Sequence, residues 1–290
     1  MILVTGGKGQ LGLCFQELAA SRRALQFMFV DVDELDITDR RAVHRFFKKH
    51  TEIKWVINCA AYTAVDKAET ELALAEKINI EGPKNLAAVC AERDLSFIHF
   101  STDYVYHNNQ NTPFRENDPE TPKGAYATTK LLGDRAALKA NPYTMILRTS
   151  WVYSAHGQNF VKTMLRLGRE RDELKVVFDQ IGTPTYAPDL AAAVLLVINK
   201  VETGAVHRDL MRGVFHFSNE GVTSWYDFAQ AIFELKKVDC RLRPIRSAEF
   251  PTAAERPPFS VLDKTKFKLT FGPSISHWRD GLVRCLELLD

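Results

Sequence analysis

Tyr126 and Lys130 stand four residues apart in Gly124-Ala125-Tyr126-Ala127-Thr128-Thr129-Lys130, the one Tyr-x-x-x-Lys of the chain. If the segment is helical, that spacing puts a phenol and an ammonium on one face, reaching into one space. Some two dozen residues earlier, His99-Phe100-Ser101-Thr102-Asp103-Tyr104 carries two hydroxyls at the end of an apolar run. A hydroxyl, a phenol and an ammonium suit the reduction of a carbonyl, which needs a hydride on carbon and a proton on oxygen. Thr102 would fix the carbonyl oxygen and Tyr126 would supply the proton. A phenol ordinarily titrates near pH 10. Lys130 beside it would stabilise the phenolate and bring the group toward working pH. A Tyr and a Lys at this spacing are also common as surface residues, so the surrounding elements must decide.

Short apolar runs alternate with amphipathic stretches through the first half of the chain. Strands are expected at Ile2–Thr5, Gln26–Asp31, Trp55–Asn58, Ser96–Ser101 and Tyr143–Arg148, and helices at Gln10–Ala20, Arg40–Lys49, Leu72–Arg93 and Tyr126–Ala140. Asp39 is placed to cap the second helix, and Pro83 should kink or break the third. Strand–helix alternation of this length predicts an α/β fold, a Rossmann-type doubly wound parallel sheet. In that fold Thr102 emerges at the carboxyl end of the fourth strand, where ligands bind. After residue 150 the pattern loosens into loops rich in Gly, Pro, Ser and aromatics. Two helices remain legible there, one capped by Thr223 or Ser224 and a last one capped by Ser276. The expected organisation is a nucleotide-binding half over residues 1–150 and a smaller C-terminal α/β substrate lobe over 151–290, with later segments contributing to the main sheet.

The hydride donor has an expected place. Val4-Thr5-Gly6-Gly7-Lys8-Gly9-Gln10-Leu11-Gly12 sets Gly6, Gly9 and Gly12 between the first strand and the first helix. Small residues there let the chain turn and let a pyrophosphate approach the helix N-terminus. Asp31, at the end of the second strand, can accept hydrogen bonds from the adenine ribose, with Asp33 a close competitor. The cofactor is therefore NADH or NADPH. Lys8 in the loop would offset part of the repulsion between Asp31 and a 2′-phosphate.

Composition narrows the rest. The chain is 46% apolar and 26% charged with net charge +2, which gives no reason to expect a nucleic-acid or membrane surface. Five scattered cysteines and eight dispersed histidines show no metal-ligand spacing, so no metal is expected and the thiols should be reduced. The first residues run straight into a strand, and the longest apolar run, Ala191 to Ile198, is too short to span a bilayer. A cytoplasmic enzyme is expected.

The runs GGKGQLG, LDITD, NCAAYTAVDKAE, STDYVY, YATTK, LRTSWVY, NFVKTMLRLG, DQIGTPTYAPDLA and ERPPFSVLD together resemble the extended short-chain dehydrogenase/reductase superfamily. Within it they resemble the family of dTDP-4-dehydrorhamnose reductases, over essentially the whole chain. The resemblance implies contacts of Gly9, Gln10 and Leu11 with the cofactor phosphates, of Asp31, Asp36 and Ile37 with its adenosine end, and of Ala60, Ala61 and Tyr62 with its nicotinamide side. It implies Thr102 and Asp103 on the sugar, Tyr126 as proton donor with Lys130 as its partner, and Trp151 packed on the substrate. Arg256 is a candidate for the substrate diphosphate, since a guanidinium matches phosphate oxygens. Two departures stand out. The turn after STDYVY reads His107-Asn108-Asn109, and Arg256-Pro257-Pro258-Phe259-Ser260 lacks the family's Asn. The competing readings are another nucleotide-sugar epimerase or dehydratase of the superfamily and a non-enzymatic NAD(P)-binding regulatory subunit. Thr102 followed by Asp103-Tyr104 lacks the acidic pair of dehydratases. Intact Thr102, Tyr126 and Lys130 favour an enzyme. The expected partner is a small nucleotide-sugar, with no nucleic acid and no membrane. A homodimer is possible.

Overall fold

Six parallel strands form the central sheet of the computed structural model, which describes residues 1–21 and 25–289. They are β1 (Ile2–Thr5), β2 (Phe27–Val30), β3 (Trp55–Asn58), β4 (Ser96–Thr102), β5 (Thr144–Thr149) and a late strand, Gly213–His216, added beside β5. Across the sheet the order is Gly213–His216, β5, β4, β3, β1, β2. The chain thus winds one way from β1 to β2 and the other way from β3 onward. The crevice between the carboxyl ends of β1 and β3 is the switch point at which such sheets bind ligands.

The strands are apolar because helices cover both faces. Alternate residues serve alternate faces. Ile2, Val4, Trp55, Ile57, Ile98, Phe100, Met145 and Leu147 pack with the helices Gln10–Ser21 and Ala187–Glu202. Leu3, Val56, Phe97 and Ile146 share a second core with Val43 and Phe47 of Arg40–Lys49, Leu86 and Val89 of Gly82–Glu92, and Ala137 of Gly124–Ala140. On this second face the alternation continues as Asn58, His99, Ser101 and Arg148, all buried and polar at the carboxyl end. Asn58 lies opposite His99 in the register, and Ser101 opposite Arg148.

A third core forms the C-terminal lobe, where Val161, Leu165, Leu174, Val176, Phe228, Ile232, Trp278 and Leu282 pack together. It joins the helices Phe160–Glu170, Trp225–Lys236 and Trp278–Glu287 to a parallel strand pair, Glu173–Val177 with Arg241–Ile245. The lobe is interleaved with the sheet. The helix Ala187–Glu202 and the strand Gly213–His216 return to the first core.

Asp39 caps its helix, accepting from Arg41 N at 2.8 Å and Ala42 N at 3.1 Å, and Ser224, not Thr223, caps Trp225–Lys236 by accepting from Asp227 N at 3.0 Å. Two expectations differ. The segment 72–93 is divided into Leu72–Glu76, one wide turn at Lys77–Glu81, and Gly82–Glu92. In that turn Gly82 N donates to Lys77 O, five residues back. Pro83 has no N–H and its ring crowds the carbonyl four residues before it, so the ladder widens there. The last helix is capped by His277, whose ring accepts from Arg279 N at 3.2 Å. Ser276 instead donates to Asp189 at 2.8 Å. Among the described residues no helix is long and apolar enough to cross a membrane.

Candidate active site

The crevice opens into three connected hollows. At the switch point a cavity of about 400 Å³ lies among Gly6, Asp31, Asp36, Ile37 and Ala60. The largest, about 700 Å³, runs from Gly9, Gln10 and Leu11 past Thr102, Asp103, Tyr126 and Lys130 to Trp151 and Trp225. A third of about 410 Å³ lies between Tyr104, Lys175, Trp225, Phe250 and Arg256.

The glycine loop is shaped for close approach. Gly6 has φ +65°, and a Cβ there would lie 2.6 Å from Ala60 N. A Cβ on Gly12 would meet Gly6 O at 2.3 Å. The loop backbone thus lies directly against the end of β3 and against its own helix, leaving main-chain N–H groups at a helix start, which suits a pyrophosphate. A cradle that only hydrogen side chains permit fits a dinucleotide. Asp31 is tied to this loop: its carboxylate accepts from Lys8 N at 2.9 Å and from Val32 N at 2.9 Å. Lys8 Nζ donates to Asp33 at 2.6 Å on the open surface. Asp36 accepts from Thr38 N at 2.9 Å and Thr38 Oγ1 at 2.6 Å, which braces the loop beside buried Ile37. Ala60 lines the switch-point cavity and Ala61 borders that cavity and the large one. Tyr62 sits between Ala61 and Thr63, which both border the large hollow. Its phenol donates to Glu71 at 2.7 Å and its amide to Asn79 at 2.9 Å, and its side chain lines none of the three hollows.

Lys130 is buried and Tyr126 half-buried on the helix Gly124–Ala140, which starts two residues earlier than the sequence suggests. The helix presses close enough at Gly133 that a Cβ there would lie 1.9 Å from Asn79 O. Burial pushes the Tyr126 phenol up to about 12, a hydrogen bond with Thr102 pulls it partly back, and Asp103 and Asp134 push it further. The expected depression by Lys130 is absent. Lys130 Nζ points away along the strand, donating to Phe100 O at 2.7 Å and lying 3.3 Å from His99 Nε2. Burial brings Lys130 down to about 8, with Asp134 opposing. Tyr126 is therefore held firmly protonated, the state a proton donor needs.

Thr102 ends β4 and accepts from Tyr104 N at 3.2 Å while donating to Asp103 at 3.2 Å. Asp103 is buried, and burial raises its carboxyl to about 7 against hydrogen bonds with Ser260 and Thr102. Its Oδ2 has no partner. Ser260 comes from the segment that departs from the family's pattern. Trp151 holds a left-handed backbone, φ +46°, costly for a bulky side chain. Its ring stacks on Trp225 at 3.5 Å between centroids and 8° between planes, with Gly182 beneath it. Arg256 donates to Asp66 at 2.7 and 3.2 Å, so the guanidinium of the C-terminal segment is clamped to the short helix Val65–Ala68 that follows β3. His107 is 3.0 Å from Glu255, tying the unusual turn to Arg256's neighbour.

Sequence reasoning missed Trp225, Phe160, Tyr104, Lys175 and Asp66. Asp66 lies inside the TAVDKAE run, and that was its only signal. Phe160 lies inside the NFVKTMLRLG run, its only signal, and Trp225 begins an ordinary amphipathic helix with nothing local to mark it. Among the described residues no group of three or more His, Cys, Asp or Glu side chains gathers as a metal site.

Comparisons with known proteins cover the whole chain. Residues 1–290 match a family described as "RmlD substrate binding domain". The chain is 38% identical over 291 residues to a dTDP-4-dehydrorhamnose reductase of Aggregatibacter actinomycetemcomitans, covering 97% of this chain and 96% of that one. A crystal structure of a dTDP-4-dehydrorhamnose reductase from Clostridium acetobutylicum superposes with TM-score 0.93 at 43% identity, over 99% of both chains. Another, from Bacillus anthracis in complex with NADP, gives TM-score 0.90 at 35% identity over 99% of this chain and 98% of that one.

Proposed function

The chain belongs to the dTDP-4-dehydrorhamnose reductase family, and we propose from that premise that its cavity reduces the 4-keto group of dTDP-4-dehydro-6-deoxy-L-mannose to dTDP-L-rhamnose. The observation that carries the reading is the meeting of Thr102, protonated Tyr126 and Lys130 in one cavity continuous with the glycine loop. When bound, a reduced nicotinamide supplies the hydride. Gly6, Gly9 and Gly12 leave room for its diphosphate at the helix start, with Gln10 and Leu11 on the cavity wall. Asp31, Asp36 and Ile37, which line the switch-point cavity, would surround the adenosine end.

The residues of the chain do the remaining work. Thr102 and the Tyr126 phenol converge on the position of the carbonyl oxygen and polarise it. As the carbon gains its hydride, Tyr126 passes its proton to the oxygen, so the alkoxide never forms free. General acid catalysis of this kind contributes about 10²–10⁴ in rate. Asp103 and Trp151 hold the sugar. Arg256, with Lys175 across the third cavity, holds the nucleotide diphosphate, and Tyr104, Phe160 and Trp225 provide flat faces for the rest. Arg256 also donates to Ala254 O at 3.2 Å and is hydrogen-bonded to Tyr104, which leaves one of its five N–H groups for a phosphate oxygen. The five cysteines are all unpaired, which supports a reducing compartment, the cytoplasm.

The test is an assay supplying dTDP-4-dehydro-6-deoxy-L-mannose with NADPH or NADH. Loss of reduced nicotinamide absorbance with stoichiometric dTDP-L-rhamnose is expected. Cofactor-neutral interconversion of sugar nucleotides would identify an epimerase instead, and binding of cofactor without turnover of any keto-sugar would identify a regulatory subunit.

A further inference from the structure

Tyr126 stands in the first turn of a helix that does not cap itself. Lys123 precedes the helix without a side-chain cap, and Gly124 opens it at φ +78°. A glycine in that region is a joint, and the free N–H groups of a helix start need partners from elsewhere. Glu69 is one, its Oε1 accepting from Ala125 N at 2.7 Å. Glu69 follows the short helix Val65–Ala68, and Asp66 of that helix holds Arg256 and accepts from Ala254 N at 3.1 Å. Residues 254–256 are thus joined to the start of the Tyr126 helix through Asp66 and Glu69. A second route runs through Glu255. Its Oε1 accepts from Lys123 Nζ at 2.7 Å and lies 3.0 Å from His107 Nε2. Lys123 first, with His107 adding to it, holds the Glu255 carboxyl below its usual range. A carboxylate only accepts, so Nε2 donates its hydrogen there. His107 is buried, five residues after Thr102, and its own amide donates to Thr121 Oγ1 at 3.1 Å.

One carboxylate oxygen therefore meets three elements: the segment that carries Arg256, the residue that precedes the Tyr126 helix, and the turn that follows Thr102. We propose that Glu255 is a positioning residue for the reduction, registering Arg256 with the proton donor and the Thr102 hydroxyl so that capture of the substrate diphosphate is passed to the reacting end. This rests on the reading that Arg256 meets the diphosphate. The diphosphate is remote from the reacting carbon. Binding energy gained there raises the rate only where it brings the reacting groups into place. A pull on residues 254–256 reaches the helix start along both routes, and Gly124 is the joint at which the first turn can settle. The Lys123–Glu255 pair is exposed, 50% and 61%. Such a pair adds little to stability, so its worth lies in the registration. His107, buried and drawn from the turn that departs from the family's pattern, extends the same registration to Thr102.

The probe is dTDP on the enzyme saturated with NADP. In hydrogen exchange read by mass spectrometry, dTDP should slow the amides at the helix start, residues 124–128, in the wild type. In Glu255→Ala and Lys123→Met, both at exposed positions, dTDP should bind nearly as tightly yet lose that protection. In the same variants kcat for keto-sugar reduction should fall about tenfold, less than the ~10² that a 1 Å misplacement can cost. The double variant should be no slower than either single one, because the same tie is broken. Lys123→Arg should keep the rate, Glu255→Gln, with an accepting oxygen but no charge, should fall between, and melting temperatures should stay close to that of the wild type. An unchanged kcat in both single variants, or additive losses in the double one, would overturn the proposal. So would a dTDP affinity that falls in step with kcat, which would make Glu255 a holder of Arg256 alone. Binding of dTDP to the wild type without protection of the helix start would overturn it while leaving the reductase reading intact. Failure of dTDP to bind would take down both.

Discussion

The two ends of the cavity are made of different material. At the cofactor end the walls are mostly main chain: the glycine loop, the end of β3 at Ala60 and Ala61, and carboxylates whose oxygens are spent on backbone amides. At the substrate end the walls are large side chains gathered from remote segments, with Trp151 stacked on Trp225 and Arg256 clamped to Asp66 across 190 residues. A ligand common to many enzymes can be met by backbone groups that any sequence supplies, provided bulk is removed where they must come close. A particular sugar nucleotide has to be met by side chains of chosen shape and charge. Tyr126 and Lys130 stand where the two kinds of wall meet.

The sharpest test of that junction is Tyr126→Phe. It should lower kcat by about 10²–10⁴ while cofactor affinity stays within a few-fold, because the lost proton matters only in the transition state. Single-turnover kinetics with a cofactor titration would separate the two quantities. Near-normal turnover would move the proton donor elsewhere.

The buried charge at the substrate end should appear in stability. The folded pKa of Asp103 is raised to about 7 from an ordinary value of 3.8. Below the ordinary value both states carry the proton. Between there and pH 7 the unfolded chain releases it while the folded one keeps it, so stability falls as pH rises through this window. The loss is on the order of 4 kcal/mol at most. Urea unfolding at pH 5 and pH 8 should show the fall in the wild type and a much smaller one in Asp103→Asn. Equal slopes would mean that Asp103 is ionised in the fold.

At the cofactor end the counterpart is Gly12→Ala. The new Cβ would meet Gly6 O at 2.3 Å and Gly7 O at 2.7 Å, so the loop itself must move. A stability loss of about 1–3 kcal/mol is expected, together with weaker cofactor binding and an unchanged Kd for the sugar nucleotide. If cofactor affinity survives, the loop does not hold the diphosphate.

The contrast also explains what the sequence could disclose. The cofactor end is local: a strand, three glycines and a helix start occupy consecutive positions, and Asp31 follows at the next strand end. The sheet was legible for a similar reason, since strands covered on both faces are written as apolar runs. The Tyr126–Lys130 spacing disclosed a shared helix face. It could not disclose that Lys130 turns to Phe100 O, because that depends on a carbonyl of a different strand. The substrate end was legible only where resemblance singled out Trp151 and Arg256. Trp225, Phe160 and Tyr104 are ordinary aromatics until the lobe folds back. The wide turn before Pro83 and the cap at His277 were missed because a proline or serine announces a boundary without fixing the residue that forms it.

Arg256→Lys sharpens the substrate half. A lysine keeps the charge but cannot make the two-pronged contact with Asp66 or a phosphate fork. KM for the sugar nucleotide should rise roughly tenfold, the worth of one charge-assisted hydrogen bond, with cofactor affinity unchanged. Asp66→Asn should act in the same direction, more weakly, by loosening the guanidinium. An equal loss of cofactor binding in either variant would mean that the ion pair supports the whole crevice and not one end of it.

The smallest effect concerns the choice between NADH and NADPH. Asp31 lines the switch-point cavity and would repel a 2′-phosphate placed there, yet its Oδ2 accepts from Lys8 N of the glycine loop and its Oδ1 from Val32 N, so replacing it would disturb the loop as well as the charge. Lys8 and Asp33 are the cleaner handle. They pair on the surface, with side chains 63% and 71% exposed, and an exposed pair of this kind is worth about 0–1 kcal/mol. Lys8 can therefore leave Asp33 for a 2′-phosphate at little cost, while solvent and salt weaken what it gains there. Use of both cofactors with a lean toward NADH is expected. Lys8→Ala should shift the ratio of kcat/KM values further toward NADH by a few-fold. Asp33→Ala should shift it toward NADPH by a similar factor, since it frees the ammonium and removes a negative charge. Both shifts should shrink as salt is raised. Strict NADPH dependence, unmoved by either substitution, would show that the 2′-position is read by other residues.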